Sequence, residues 1–202
     1  MADAVQTADA LSLQFPNSAI LYNISGTIHL KLKDHQQAIE KYQLALKINP
    51  RYAEVYNNLG TAHQETGQLE DAIDSFEKAT KWLPNYAQAH NNLGVVFKAT
   101  GNTNGAIKHY SMAIDLKPDY ASPYNNIAIA LEENGQHELA MEHYQKAISI
   151  DPMYFEAFHN MANNLSHQGN RVAAIENYTK AIALNPGYAE AHLGLDRKST
   201  RL

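Results

Sequence analysis

Six of the seven prolines, Pro16, Pro50, Pro84, Pro118, Pro152 and Pro186, stand 34 residues apart. A period in that range confines a chain to a repeat architecture, in which each unit buries its apolar face against its neighbours rather than in one central core. The same spacing links Tyr52, Tyr86, Tyr120, Tyr154 and Tyr188, and also Gly67, Gly101, Gly135 and Gly169. Only Pro123 is out of register.

Within each period the apolar and small residues fall at helical spacing, as in Tyr56, Leu59, Gly60 and His63, and then Ala72, Phe76 and Ala79. Two amphipathic helices per period follow. Between them four units place a glycine where a left-handed helix terminus suits glycine best, and the first unit has Lys33 there. Asn49-Pro50, Leu83-Pro84, Lys117-Pro118, Asp151-Pro152 and Asn185-Pro186 close the second helices, because proline lacks the amide a continuing helix needs. The chain is therefore expected to be all-α.

Apolar residues at 45% and charged residues at 18% suit an ordered chain rather than a disordered one. No run approaches a membrane span, and the first residues lack the basic-then-apolar pattern of a leader, so a cytoplasmic location is expected. The net charge of −5 argues against nucleic acid or an anionic membrane as partner. With no cysteine there is no thiolate or zinc–thiolate chemistry. The ten histidines scatter without His-Glu-x-x-His spacing, and neither a phosphate-cradling loop nor a Gly-x-Ser-x-Gly turn occurs. No metal, cofactor or catalytic residue is expected.

The pattern Tyr56, Leu59-Gly60, His63, Ala72, Phe76, Ala79, Pro84, and its recurrence as His90, Leu93-Gly94, Phe97, Ala106, Tyr110, Ala113, Pro118, resembles the tetratricopeptide repeat. The resemblance implies a right-handed superhelical solenoid of antiparallel helix pairs. It divides the chain into a second helix of an incomplete leading repeat (1–18), five complete repeats (19–52, 53–86, 87–120, 121–154 and 155–188) and the start of a sixth (189–195). The first repeat departs from the pattern with Ser25 for leucine. The fourth and fifth carry Ala128 and Ala162 for glycine, which still permits close helix approach. Tyr42, Phe76, Tyr110, Tyr144 and Tyr178 are expected in the repeat core. His109 and His143 are expected at exposed positions. Residues 196–202 leave the register and back-translate to GATCGGAAGAGCACACGTCTG, which resembles a sequencing-library adapter. They are expected to be non-native, with the native chain continuing past Leu195.

Asparagine is a poor helix former, so the pairs Asn57-Asn58, Asn91-Asn92 and Asn125-Asn126, with the half-match His159-Asn160, call for a role. Asn58, Asn92, Asn126 and Asn160 resemble the asparagine ladder in the repeat domain of O-linked N-acetylglucosamine transferases. That resemblance implies an inner groove holding an extended polypeptide by its backbone, since a carboxamide both donates and accepts. Asn57, Asn91 and Asn125 are weaker candidates for the same role, the alternative being a bond to an adjacent repeat. At the positions where related domains carry lysines that grip acidic tails, the chain has Asn23, Asn57, Asn91, Asn125 and His159. Glu54, Glu65, Glu132, Glu133, Glu156 and Glu190 lie nearby, so neutral or basic ligands are favoured.

Three functions fit these residues. One is a protein–protein interaction scaffold without catalysis. Another is the substrate-recruiting front of a larger enzyme, since similar arrays precede glycosyltransferase, sulfotransferase and methyltransferase domains. The third is self-association through uncovered apolar faces of the incomplete terminal units.

Overall fold

The computed structural model describes residues 2–199, so Thr200–Leu202 of the non-register tail lie outside the described residues. Among the described residues the chain forms twelve α-helices and no strand. They are α1 Ala2–Gln14, α2 Ala19–Lys31, α3 His35–Ile48, α4 Ala53–Glu65, α5 Leu69–Trp82, α6 Ala87–Ala99, α7 Thr103–Leu116, α8 Ala121–Glu133, α9 His137–Ile150, α10 Phe155–His167, α11 Arg171–Leu184 and α12 Ala189–Ser199. The last helix runs on through residues 196–199, past the point where the repeat register stops. Two compact units divide the chain, the first ending at His109 and the second beginning at Tyr110.

Local chemistry explains the boundaries. Each second helix from α3 onward ends two residues before its period proline, which cannot supply the amide that continuation needs. Asp34 and Asn170 cap α3 and α11 by accepting from the amides of Gln37 and Ala173, and the Asn102 side chain accepts from the Gly105 amide at the start of α7. The turns between paired helices are left-handed at Gly67, Gly101, Gly135 and Gly169, with φ between 73° and 81°, and at Lys33, with φ 63°. A Cβ on Gly67 would have nothing within 4 Å. Gly67→Ala is thus expected to cost about 1 kcal/mol through backbone strain alone, read as a shift of the urea midpoint with an unchanged m-value.

Packing follows the period. In the first unit Tyr42 lies against Ala38, Ala45, Val55 and Leu59, and Phe76 against Ala72, Leu93 and Val96. In the second unit Tyr144 packs with Ala128 and Ala140, and Tyr178 with Phe158, Ala162, Ala174 and Ala191. All five aromatic residues of this series, Tyr110 included, are buried as the pattern predicts. The approach is so close at Gly60 that a Cβ would fall 2.7 Å from the Phe76 ring.

His109 and His143 are not the exposed residues the sequence suggests; both are half-buried. The His109 ring meets His90, with Nδ1 to Nδ1 at 3.1 Å and ring centroids 5.4 Å apart. His90 Nε2 faces the Pro84 carbonyl at 3.1 Å, which assigns its proton to Nε2 and makes His109 Nδ1 the donor to His90 Nδ1. Burial above all, with His90 and Lys108 also opposing its protonated form, pushes the His109 imidazole from 6.5 to about 4. A depressed histidine contributes stability that is complete above its unfolded value and is lost as pH falls from 6.5 through about 4. Allowing for a half-exposed ring, the loss is roughly 1–2 kcal/mol. Urea unfolding at neutral pH and near pH 4 checks this: His109→Gln, which keeps a donor for His90, is expected to show the smaller acid loss.

Candidate functional site

Asn57, Asn91 and Asn125 sit near the middle of α4, α6 and α8 and are buried, whereas Asn58, Asn92, Asn126 and Asn160 are half-exposed one position on. A helix turns about 100° per residue, so adjacent asparagines cannot share a direction. One of each pair therefore points between helices and the other toward solvent. The two are nonetheless coupled. In the first unit Asn58 Nδ2 donates to Asn23 Oδ1 at 3.0 Å, and Asn92 Nδ2 donates to Asn57 Oδ1 at 2.9 Å. In the second unit Asn160 Nδ2 donates to Asn125 Oδ1 at 3.0 Å. Each bond spans 35 residues, one more than the repeat period. In each of these three bonds the earlier residue, Asn23, Asn57 or Asn125, is the acceptor for the second asparagine position of the next repeat.

That bond has a chemical consequence. A carboxamide has two donors and an acceptor oxygen with two lone pairs. One donor of Asn58, Asn92 and Asn160 is committed to the preceding repeat, which fixes the amide plane. Among the described residues their other N–H and their Oδ1 have no further hydrogen-bond partner. The arrangement can therefore offer one donor and one acceptor per repeat in a preset orientation. Sequence reasoning gave a bond to an adjacent repeat as the alternative role of Asn57, Asn91 and Asn125, but did not identify the partner as the second asparagine of the next repeat; the signal was an acceptor and a donor recurring one residue beyond the period.

The series changes at the fifth repeat. His159 stands where Asn125 stands one period earlier, and the residue 35 further on is Gly194, which has no side chain to donate. Tyr178 donates its hydroxyl to Asn163 Oδ1 at 2.6 Å, which turns Asn163 Nδ2 toward His159 Nε2 at 3.1 Å. Nε2 must then accept, leaving the ring proton on Nδ1, which is buried without a partner. Burial holds this imidazole below its ordinary value, against the opposing pull of Glu190. Beside it is a cavity of about 350 Å³ lined by His159, Asn163, Ser166, Tyr178, Glu190 and Leu193 among others.

Glu65 accepts from Lys33 Nζ and faces His35 Nε2, both at 2.9 Å, and the Lys33 hydrogen bond above all holds its carboxyl below the usual range. Glu132 accepts from the Tyr144 hydroxyl at 2.9 Å and faces His167 Nδ1 at 3.1 Å. Those two carboxylates are engaged within the fold. Glu54, Glu133 and Glu190 are exposed, and Glu156 is half-buried. Among the described residues no three His, Asp or Glu side chains converge as a metal site, and no helix is long and apolar enough to cross a membrane.

Comparison with known proteins agrees with this geometry at the level of the fold. The family described as tetratricopeptide repeat matches residues 16–81, 121–154 and 155–188, and that described as TPR repeat matches 64–101 and 96–135. No curated protein sequence matches the chain. Among solved structures, the MamA protein is similar at 27% identity and TM-score 0.67, over 85% of this chain and 94% of that one. YrrB, described as a TPR protein with an unusual peptide-binding site, is similar at 21% identity and TM-score 0.67, over 96% and 100%. A chain of the APC/C hetero-tetramer Cut9–Hcn1 shares 19% identity and TM-score 0.86, over 98% of this chain and 39% of that one. With repeat matches running almost without interruption from residue 16 to residue 188 and helix pairs turning at each period glycine, the chain belongs to the tetratricopeptide-repeat family.

Proposed function

We propose that this chain is a protein–protein interaction scaffold whose first helices hold an extended polypeptide through Asn58, Asn92, Asn126 and Asn160. The observation that carries this reading is the repeated carboxamide bond between repeats, which orients a donor and an acceptor toward solvent at a regular interval. A peptide backbone presents the complementary groups regardless of its side chains. Asn57 and Asn125 contribute to the same grip from behind, as the buried acceptors of Asn92 and Asn160, and Asn91, buried at the same repeat position, is assigned to the same series. YrrB, whose likeness is one of fold, is described as having a peptide-binding site, and the reading places a comparable ability on this chain's own residues.

Energetics limit what the ladder does alone. Four hydrogen bonds at roughly 0.5–1.5 kcal/mol each contribute about 2–6 kcal/mol, against an association cost on the order of 4–15 kcal/mol. Side-chain contacts must supply the remainder. The cavity beside His159 is large enough for a ligand side chain, and the exposed Glu54 and Glu190, with Glu156, favour neutral or basic sequences. The test is titration of labelled extended peptides, neutral, basic and acidic, into the protein and into an Asn92→Ala, Asn126→Ala variant. Saturable binding of neutral or basic peptides, weakened by the double substitution, supports the reading. Binding indifferent to both substitutions removes it.

A further inference from the structure

Helix α1 is seated differently from every later second helix. Where the others carry Tyr42, Phe76, Tyr110, Tyr144 or Tyr178, α1 carries Ala8. Among its described side chains the other buried residue is Ser12, whose hydroxyl donates to the Ala8 carbonyl of its own helix at 2.8 Å. The described side chains of α1 therefore bury little apolar area to hold it in place.

A charged cluster takes over that role. Asp9 accepts from Ser25 Oγ at 2.6 Å and from Lys41 Nζ at 2.7 Å, and it faces His29 Nε2 at 3.3 Å. The opposite nitrogen of His29, Nδ1, faces Asp34 Oδ2 at 3.2 Å, and Asp34 also caps α3. Ser25 and His29 are buried on α2, at 1% and 6% exposure. The departure of Ser25 from the leucine of the repeat pattern thus has a cause: a leucine there would leave Asp9 without its hydroxyl donor. Although burial raises the Asp9 carboxyl, the hydrogen bonds from Lys41, Ser25 and His29 outweigh it and hold the group below its ordinary value. The charged form is the one this seat requires.

We infer that α1 is a charge-held strap, keyed by Asp9, which detaches from the first complete repeat as a unit when that carboxylate is neutralised while the later helices stay folded. The physical basis is an asymmetry of partly buried ion pairs, in which Lys41 and His29 are the buried partners and Asp9 is about a third exposed. Their formation gains little net free energy because desolvation offsets attraction, whereas removing one partner strands the others and is strongly destabilising. In α1 no aromatic key compensates.

Hydrogen exchange of the full chain, resolved helix by helix, tests this against ordinary end fraying. In Asp9→Asn, which keeps the shape and removes the charge, the α1 amides are expected to exchange at least about ten-fold faster than in the wild type, with α4 and α5 unchanged. Equal α1 rates in the two proteins would mean that the cluster does not hold the helix. Acceleration of α4 and α5 to the same degree would mean that it supports the fold as a whole. Either result overturns the inference.

Discussion

Phe76→Ala is expected to lower the unfolding free energy by about 3–5 kcal/mol, a large share of the stability of a domain this size. Phe76 is fully buried among Ala72, Leu93 and Val96, and its ring lies where a Cβ on Gly60 would fall 2.7 Å away. It therefore joins its own two helices to the first helix of the next repeat. Removing the ring leaves a cavity lined by Ala72, Leu93 and Val96, side chains held on packed helices that can relax into it only in part. In a stacked array the loss should also appear as reduced cooperativity, since each unit is stable only against its neighbours. Chemical unfolding followed at several probes checks this: the midpoint falls, and the transition broadens or splits. A midpoint close to wild type would mean that the aromatic residue is not the key of its repeat.

The second large effect concerns the ladder. Asn92→Ala with Asn126→Ala removes two of the proposed ligand contacts and is expected to weaken peptide binding by about 5–150-fold, the equivalent of roughly 1–3 kcal/mol. From the sequence, such a change should leave stability almost untouched. The bond from Asn92 to Asn57 alters that expectation. Truncating Asn92 leaves the Asn57 oxygen buried without this donor, at a cost of about 1–3 kcal/mol. Asn58→Ala separates the two effects, because its acceptor Asn23 is only half-buried and can turn to water. That variant should lose about 2–12-fold in affinity with little change in melting temperature. If its melting temperature falls as far as that of Asn92→Ala while binding is unchanged, the asparagines serve the stack and not a ligand.

Much of the fold was legible because a 34-residue period repeats each signal several times. Gly67, Gly101, Gly135 and Gly169 announced left-handed turns, and even Lys33 adopts the conformation its position demands. What escaped the sequence are contacts that period alone cannot pair. Ser25 stood out as a departure, but nothing in its neighbourhood identified Asp9, on a different helix, as the reason. His109 looked exposed on helical spacing because the ring covering it, His90, belongs to the preceding helix. For the candidate site, the asparagines were legible as a series. Their coupling depends on which way each of two adjacent carboxamides faces, and a sequence does not state that until neighbouring helices are placed.

The most direct measurement of the central claim is a heteronuclear NMR titration that follows the side-chain amide signals of the asparagines as neutral and basic extended peptides are added. The carboxamide signals of Asn58, Asn92, Asn126 and Asn160 are expected to shift together and saturate at a common peptide concentration, with acidic peptides least effective. Signals that move on the second helices while these four stay fixed would contradict it, as would peptides that leave the whole spectrum unchanged.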